Sequence, residues 1–270
     1  MSGRLRVVTL NLWGEQEPLD VRMSLIERQL RALDPDVVAL QEVRQVLPRV
    51  PNQAETLARA LGMHPVFCPA TEWGGGLEGL ALLSRNPVLH SGHVELPHAV
   101  PSERRILLWA RIRHEAGVVL CGCTHLNYRL HHGSIREDQV EAVDAEMQRQ
   151  EADLRVLMGD FNAVPDSDEI RYLRGLHSIR GRRTFYQDAW AQLHPGEAGY
   201  TWSRKNPFTQ RLPFLEPDRR LDYVFVGPRS RDGRGHIHDC RIVLDVPDRQ
   251  GVFPSDHFGL MADVQLAPLG

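Results

Sequence analysis

Arg155-Val156-Leu157-Met158-Gly159-Asp160-Phe161-Asn162 is the stretch on which the fold and the chemistry of this chain turn. Val156, Leu157 and Met158 form a short apolar run with strand character, and the polar pair arrives where that run ends. Side chains two apart on extended backbone share a face, so Asp160 and Asn162 should present a carboxylate and a carboxamide together where the chain leaves a sheet. Such a tetrapeptide is weak evidence alone. Four further polar signatures are expected at the C-terminal ends of other short apolar runs: Asn11, Glu42, His125, and the Asp256-His257 pair preceded by Asp222.

Composition sets the outer bounds. A chain of 270 residues, 42% hydrophobic and 25% charged, is that of an ordinary globular protein. Strand-like runs are spread over its whole length with no linker between halves, so residues 1–270 are expected to form a single domain. No apolar stretch approaches the roughly 20 residues of a membrane span. Met1 to Arg6 run straight into a strand-like segment with no h-region or cleavage site. A cytoplasmic location, or an already processed chain, is therefore expected. A net charge of -3 does not advertise a polyanion-binding surface. Locally, Arg171, Arg174, Arg180, Arg182 and Arg183 crowd together, either as a solvated face or as a contact for a phosphate backbone. Cys68, Cys121, Cys123 and Cys240 contain no Cys-x-x-Cys pair and read as reduced core thiols.

Strands are predicted over Arg6–Asn11, Val37–Gln41, Gly79–Leu83, Ile106–Ala110, Val118–Cys121, Val156–Met158, Leu221–Val226, Ile242–Leu244 and Gly259–Val264. Helical spacing marks Val21–Leu33, Ala54–Leu61 with Gly62 as its stop, and Ile135–Glu151 with Val140, Val143 and Met147 as a buried stripe. A short helix should follow Pro165, capped by Asp166 or Ser167. Trp73-Gly74-Gly75-Gly76 and Tyr200–Arg220 carry too much Gly or Pro for regular structure. Many short strands with helices at only some crossovers predict an α/β fold, two sheets packed face to face with helices on their outer sides.

Each signature supplies a group that phosphate-ester chemistry needs. Asn11 at a strand end can offer its carbonyl oxygen to a hard cation, although an Asn there is commonly a turn residue. Glu42 ends a fully apolar strand, where a carboxylate is costly unless a cation or donors meet it. Magnesium takes oxygen ligands and few protein carboxylates, which makes Glu42 the first-choice ligand and Asp256 a further one. His125 can donate to a phosphoryl oxygen. Asp160 can orient or deprotonate a water, and Asn162 can steady developing charge. His257 is a candidate acid or base whose tautomer needs a carboxylate, and Asp222 is the natural partner.

Taken together, the residues resemble the endonuclease/exonuclease/phosphatase superfamily, the DNase I-like group that also includes neutral sphingomyelinases and inositol-polyphosphate 5-phosphatases. The resemblance runs from Asn11 to His257 and is most specific at Gly159-Asp160-Phe161-Asn162 and Ser255-Asp256-His257. Gln41-Glu42, Thr124-His125-Leu126 and Arg220-Leu221-Asp222-Tyr223 add to it. It implies a four-layer α/β/β/α sandwich of two mixed sheets. It also implies Mg2+ held chiefly by Glu42, aided by Asn11 and Asp256, with Mn2+ as a substitute. His257 with Asp222 and Asp160 would prepare the attacking water, and Asn162 and His125 would contact the scissile phosphate. Arg105, or its neighbour Arg104, would steady the substrate, and Thr201 and Trp202 would line the cleft. Where abasic-site nucleases carry a Tyr-containing motif this chain has Thr124-His125-Leu126, which is unlike that branch.

The expected activity is metal-dependent hydrolysis of a phosphoester by in-line attack of water, with no Ser or Cys nucleophile. The alternatives are a DNA or RNA nuclease and a non-catalytic binding module on the same scaffold. The acidic net charge favours a small or lipid-like phosphoester partner over nucleic acid, while the arginine cluster opposes that order. The chain is expected to act as a monomer.

Overall fold

The computed structural model describes residues 3–100, 102–211 and 216–268, so Met1, Ser2 and residues 212–215 of the expected 200–220 loop lie outside the described residues. β1 (Arg4–Asn11) and β2 (Val37–Gln45) are buried along most of their length and run parallel. Parallel neighbours need a crossover across one face of the sheet, and α1 (Leu19–Leu33) supplies it. The same unit recurs with β7 (Gly117–His125), α3 (Gly133–Arg149) and β8 (Leu154–Asp160), whose strands are again parallel.

Antiparallel strands widen each pair. β3 (His64–Trp73), β4 (Gly76–Ser84), β11 (Ile237–Val243) and β12 (Gly259–Gln265) complete a six-stranded sheet in the order β11-β12-β1-β2-β4-β3. β5 (Val88–Leu96), β6 (Arg105–His114), β9 (Gln187–Asp188) and β10 (Asp222–Val226) complete a second, ordered β5-β6-β7-β8-β10-β9.

Side-chain alternation then builds three cores. Val7, Ala39, Leu82, Leu108, Cys121, Met158 and Val224 meet between the sheets. Val8, Leu10, Val38 and Leu40 point the other way, onto Ile26 and Leu30 of α1 and Leu57 of α2 (Gln53–Leu61). On the second sheet Leu107, Leu120 and Leu157 meet Val140, Val143 and Met147 of α3 and Ile170 of α4 (Asp168–Leu173). Each fully buried side chain of this kind contributes roughly 1.5–3 kcal/mol. Three apolar interfaces between helix, sheet, sheet and helix make the four-layer α/β/β/α sandwich. No helix among the described residues is long and apolar enough to cross a membrane.

Several elements differ from expectation. β3 carries Pro65 and Pro69, and β5 carries His90, Ser91 and His93; neither shows an apolar strand pattern, and both are edge strands, where such residues are tolerated. The two-residue β9 and the five-residue α5 (Ala189–Leu193) are too short to leave a period. Trp73 to Gly76 is a tight hairpin rather than an irregular loop: Trp73 pairs with Gly76, and Gly74 and Gly75 both take positive φ, as a type I′ turn requires. Ser167 occupies the N-cap position of α4, but its side chain makes no cap hydrogen bond.

At the middle of the second sheet, Gly159 has φ +144°, and a Cβ there would lie 1.9 Å from the Thr124 carbonyl oxygen of β7. Backbone cannot yield as a flexible side chain can. Gly159→Ala is expected to destabilise the protein by about 3 kcal/mol, read as a lowered urea midpoint at unchanged m-value.

Candidate active site

The carboxyl ends of the two parallel pairs point to one region, and the antiparallel neighbours begin there. Asn11, Glu42, His125 and Asp160 come from the first group of strands. Asp222 opens β10 directly opposite Asp160, and Asp256 and His257 precede β12. The expectation that every signature would sit at a C-terminal strand end thus fails for these last three. A strand antiparallel to its neighbour starts where that neighbour finishes, so they arrive at the same place from the other direction.

Glu42 does not end its strand. It sits at an irregularity of β2 between Leu40 and Val43, with φ +53°, and such a bulge re-aims a side chain. Gln41 beside it turns into the core between the sheets, where its Nε2 meets Thr9 and Cys123.

Asn11 ties the sheets together. Its Nδ2 donates to Glu42 Oε1 and to Asp160 Oδ2, each at 3.1 Å. Its side-chain Oδ1 accepts from the Trp13 N–H at 2.9 Å, which leaves that oxygen one further lone pair beside the acids.

His257 Nδ1 lies 2.8 Å from Asp222 Oδ2, and its Nε2 lies 3.7 Å from Asp160 Oδ2. Burial works against a charged ring here, but Asp222 and then Asp160 outweigh it and hold the imidazole well above its usual range. The Thr201 hydroxyl accepts from the Leu221 and Asp222 N–H groups, fixing the start of β10. Trp202 packs edge-on against His257 with centroids 4.9 Å apart.

His125 behaves oppositely. Arg105 Nη1 donates to its Nδ1 at 2.9 Å, so that nitrogen is the bare one and Nε2 carries the hydrogen, 3.5 Å from Asp160 Oδ2. Burial first, then Arg105 and His257, push His125 well below the ordinary value. Arg104 pairs instead with Glu95, which leaves Arg105 as the arginine on the imidazole. Asn162 has left the strand: with φ +50° its N–H donates to Asp160 Oδ1 at 2.9 Å and its Nδ2 to the Leu126 carbonyl at 3.1 Å.

The acids are driven upward. Burial, then Asp256 and Glu78, push Glu42 to about 7. Burial also pushes Asp160 to about 6, with His257 opposing and Asp222 reinforcing, and raises Asp256. A buried carboxylate held up by like charges is one that a cation would relieve, and the oxygen donors of Glu42 and Asp256 suit a hard divalent ion. Ligand atoms of Asp160, Asp222 and His257 also lie within 4.8 Å of one another. In that second set, however, each carboxylate already faces the imidazole.

All ten candidate residues therefore converge on one cleft of about 960 Å³: eight line it, and Asn11 and Asp222 bond directly to Glu42 and His257, which do. A family model described as Endonuclease/Exonuclease/phosphatase family matches residues 8–257. The chain belongs to this family. Its members are metal-dependent hydrolases of phosphoesters, and the acid-and-imidazole floor is in keeping with that. Among curated relatives, Protein angel of Drosophila melanogaster is 29% identical over 166 residues, covering 57% of this chain and 46% of that protein, so less than half of that relative's length is spanned. An uncharacterized protein of Caenorhabditis elegans is 24% identical over 297 residues, covering 97% and 91%. Two solved structures share the fold. The endonuclease/exonuclease/phosphatase of Beutenbergia cavernae has TM-score 0.74 at 24% identity, covering 98% of this chain and 72% of that one. D. rerio TDP2, complexed with single strand DNA product, has TM-score 0.76 at 21% identity, covering 97% and 98%.

Some residues of this family member's site left no trace in its sequence pattern. Arg22 falls within the helical stretch 21–33 and reads as a solvated position, yet it is fully buried and donates to the carbonyls of Leu12, Gly14, Gln16 and Pro254. Asn206 Nδ2 holds the Ser255 and Asp256 carbonyls from the distant 200–211 segment. Glu78, on β4, faces Glu42. The arginine cluster is largely spent on local acids: Arg171 on Asp168, Arg174 near Asp188, and Arg180 on Asp138 and Glu141.

A group held below its ordinary pKa stays neutral as pH falls through that value. In the metal-free protein at about pH 6.5, where an unperturbed histidine is half protonated, the His125 ring is expected to give the 15N shifts of a neutral Nε2–H tautomer. Arg105→Ala should move its titration upward.

Proposed function

We propose that this chain is a Mg2+-dependent phosphoester hydrolase in which water attacks phosphorus in line and no covalent enzyme intermediate forms. The observation that carries this is the buried relay Asp222–His257–Asp160, set in the same cleft as Glu42 and Asp256. We also take residues 1–270 as one domain, because the two sheets share an apolar core.

Glu42 and Asp256 would hold the ion, and Asn11 acts through Glu42 by fixing its carboxylate. Bound there, a divalent cation polarises phosphoryl oxygens and stabilises the leaving oxygen. The chain's own groups do the rest. Asp222 accepts the Nδ1 hydrogen of His257 and so leaves Nε2 directed at Asp160. The 3.7 Å separation of Nε2 from Asp160 Oδ2 is longer than a hydrogen bond, so a water oxygen can take both as partners and be oriented for attack. Asp160, lifted to about 6, titrates close to neutral pH, where a general base works best.

Neutral His125 presents its Nε2–H 3.5 Å from the same Asp160 oxygen, and Arg105 on its Nδ1 supplies positive charge for the anionic ester. Asn162 has spent one Nδ2 hydrogen on Leu126 and keeps the other for a phosphoryl oxygen. Trp202 closes the wall beside His257.

On a panel of nitrophenyl phosphates, DNA, RNA, sphingomyelin and inositol phosphates, Mg2+- or Mn2+-stimulated hydrolysis is expected, and EDTA should abolish it. Glu42→Ala and His257→Ala should each lower turnover by roughly 100- to 10,000-fold with far-UV circular dichroism unchanged. Wild-type turnover in either variant refutes the assignment. Inactivity of the native protein across the panel would favour a binding module.

A further inference from the structure

The β3–β4 hairpin carries Trp73 to the mouth of the cleft, with its side chain nearly half exposed at 47%. An exposed indole of that size is ordinarily free to rotate, but this one is held on two sides. Beneath it lies Arg44, wholly buried, its guanidinium carbon 3.9 Å from the ring centroid. Arg44 Nη2 donates to the Trp73 carbonyl at 3.2 Å and to Glu15 at 3.1 Å. Its Nε and Nη1 are buried without any hydrogen-bond partner among the described residues. A buried guanidinium normally satisfies those nitrogens, so the face of the indole is what compensates them here. At its edge, the ring Nε1–H donates to Glu78 at 3.0 Å.

A ring covered below, pinned at its edge and open above is a surface organised before any ligand arrives, which lowers the entropy lost on binding. The rest of the rim says what kind of ligand it suits. Arg104, Arg129 and Arg219 are paired with Glu95, Glu103 and Glu216, so little free positive charge is left to follow a run of phosphates. Tyr128, half exposed, lines the same cleft, with the Arg129 guanidinium carbon 5.3 Å from its ring centroid. Rigid flat faces with neutralised charge favour a planar ring over an alkyl chain, which gains nothing from a fixed plane.

We propose that Trp73 is a stacking platform that selects phosphoesters carrying a flat heteroaromatic ring, a nucleobase, on the hairpin side of the reacting phosphate. This rests on the phosphoester reading above and replaces the preference for a lipid-like partner with one for a nucleotide-sized or short single-stranded ester. Base stacking on an aromatic side chain is sequence-tolerant, so all four bases should serve.

The test is calorimetric titration of the wild type, Trp73→Leu and Trp73→Phe with adenosine 5′-monophosphate, ribose 5-phosphate and octyl phosphate. Wild type is expected to bind adenosine monophosphate roughly tenfold or more tightly than ribose phosphate. Trp73→Leu should erase that preference and Trp73→Phe should keep most of it, with cooperative thermal unfolding above the titration temperature showing that both variants fold. A preference that survives in Trp73→Leu, or octyl phosphate outbinding the nucleotide through Trp73, overturns the proposal. A parallel measurement of kcat/KM for p-nitrophenyl esters of thymidine phosphate and of ethyl phosphate separates the two claims. Loss of the base preference in Trp73→Leu with no hydrolysis of either ester would sink only the hydrolase reading. Hydrolysis with no Trp73-dependent preference would sink only the platform.

Discussion

Glu42, Asp160, Asp222 and Asp256 share one poorly solvated cleft floor, and the cost of crowding four carboxylates there shapes everything around it. Removing one such charge from water costs several kcal/mol unless partners replace the solvent. Donors therefore come in from far along the chain: the Asn11 amide to Glu42 and Asp160, and the His257 ring to Asp222, while the Thr201 hydroxyl accepts from the Asp222 N–H and fixes the start of β10. The compensation is partial. Glu42 stays raised to about 7 and Asp160 to about 6, which leaves the floor predisposed to accept positive charge.

That crowding is possible only because two βαβ units face one another. β1 with β2, and β7 with β8, send their carboxyl ends to the same side, the familiar binding position of parallel sheets. The antiparallel strands then begin where those end, so Asp222 meets Asp160 directly across the ladder. Gly159 contributes through what it lacks, since any Cβ would strike the Thr124 backbone and part β7 from β8 at the residue before Asp160.

The floor and the rim of the cleft are built by different means. At the floor, polar groups are matched one to one. At the rim the charges are largely cancelled in pairs, and flat aromatic faces such as Trp73 and Tyr128 remain for contact. Of the dense arginines at 171–183, Arg171, Arg174 and Arg180 answer acids beside them in the fold. Their crowding in sequence reports a local ion-pair network.

The central strands, the three long helices and the candidate site residues were legible before any fold was known. Apolar runs buried on both faces leave an uninterrupted pattern, and a carboxylate or imidazole at the end of such a run stands out. Edge strands β3 and β5 were not legible, since an edge tolerates the proline and histidine that erase the pattern. Nor could sequence give the orientation of Asn11, the bulge that turns Glu42 outward, the burial of Arg22, or the stacking of Arg44 under Trp73. Local sequence determines which chemical groups a strand end carries, because periodicity and propensity act over a few residues. Which of those groups become partners depends on contacts 29 to 149 residues apart, as between Arg44 and Trp73 or Asn11 and Asp160, and only the closed fold brings such distances to zero.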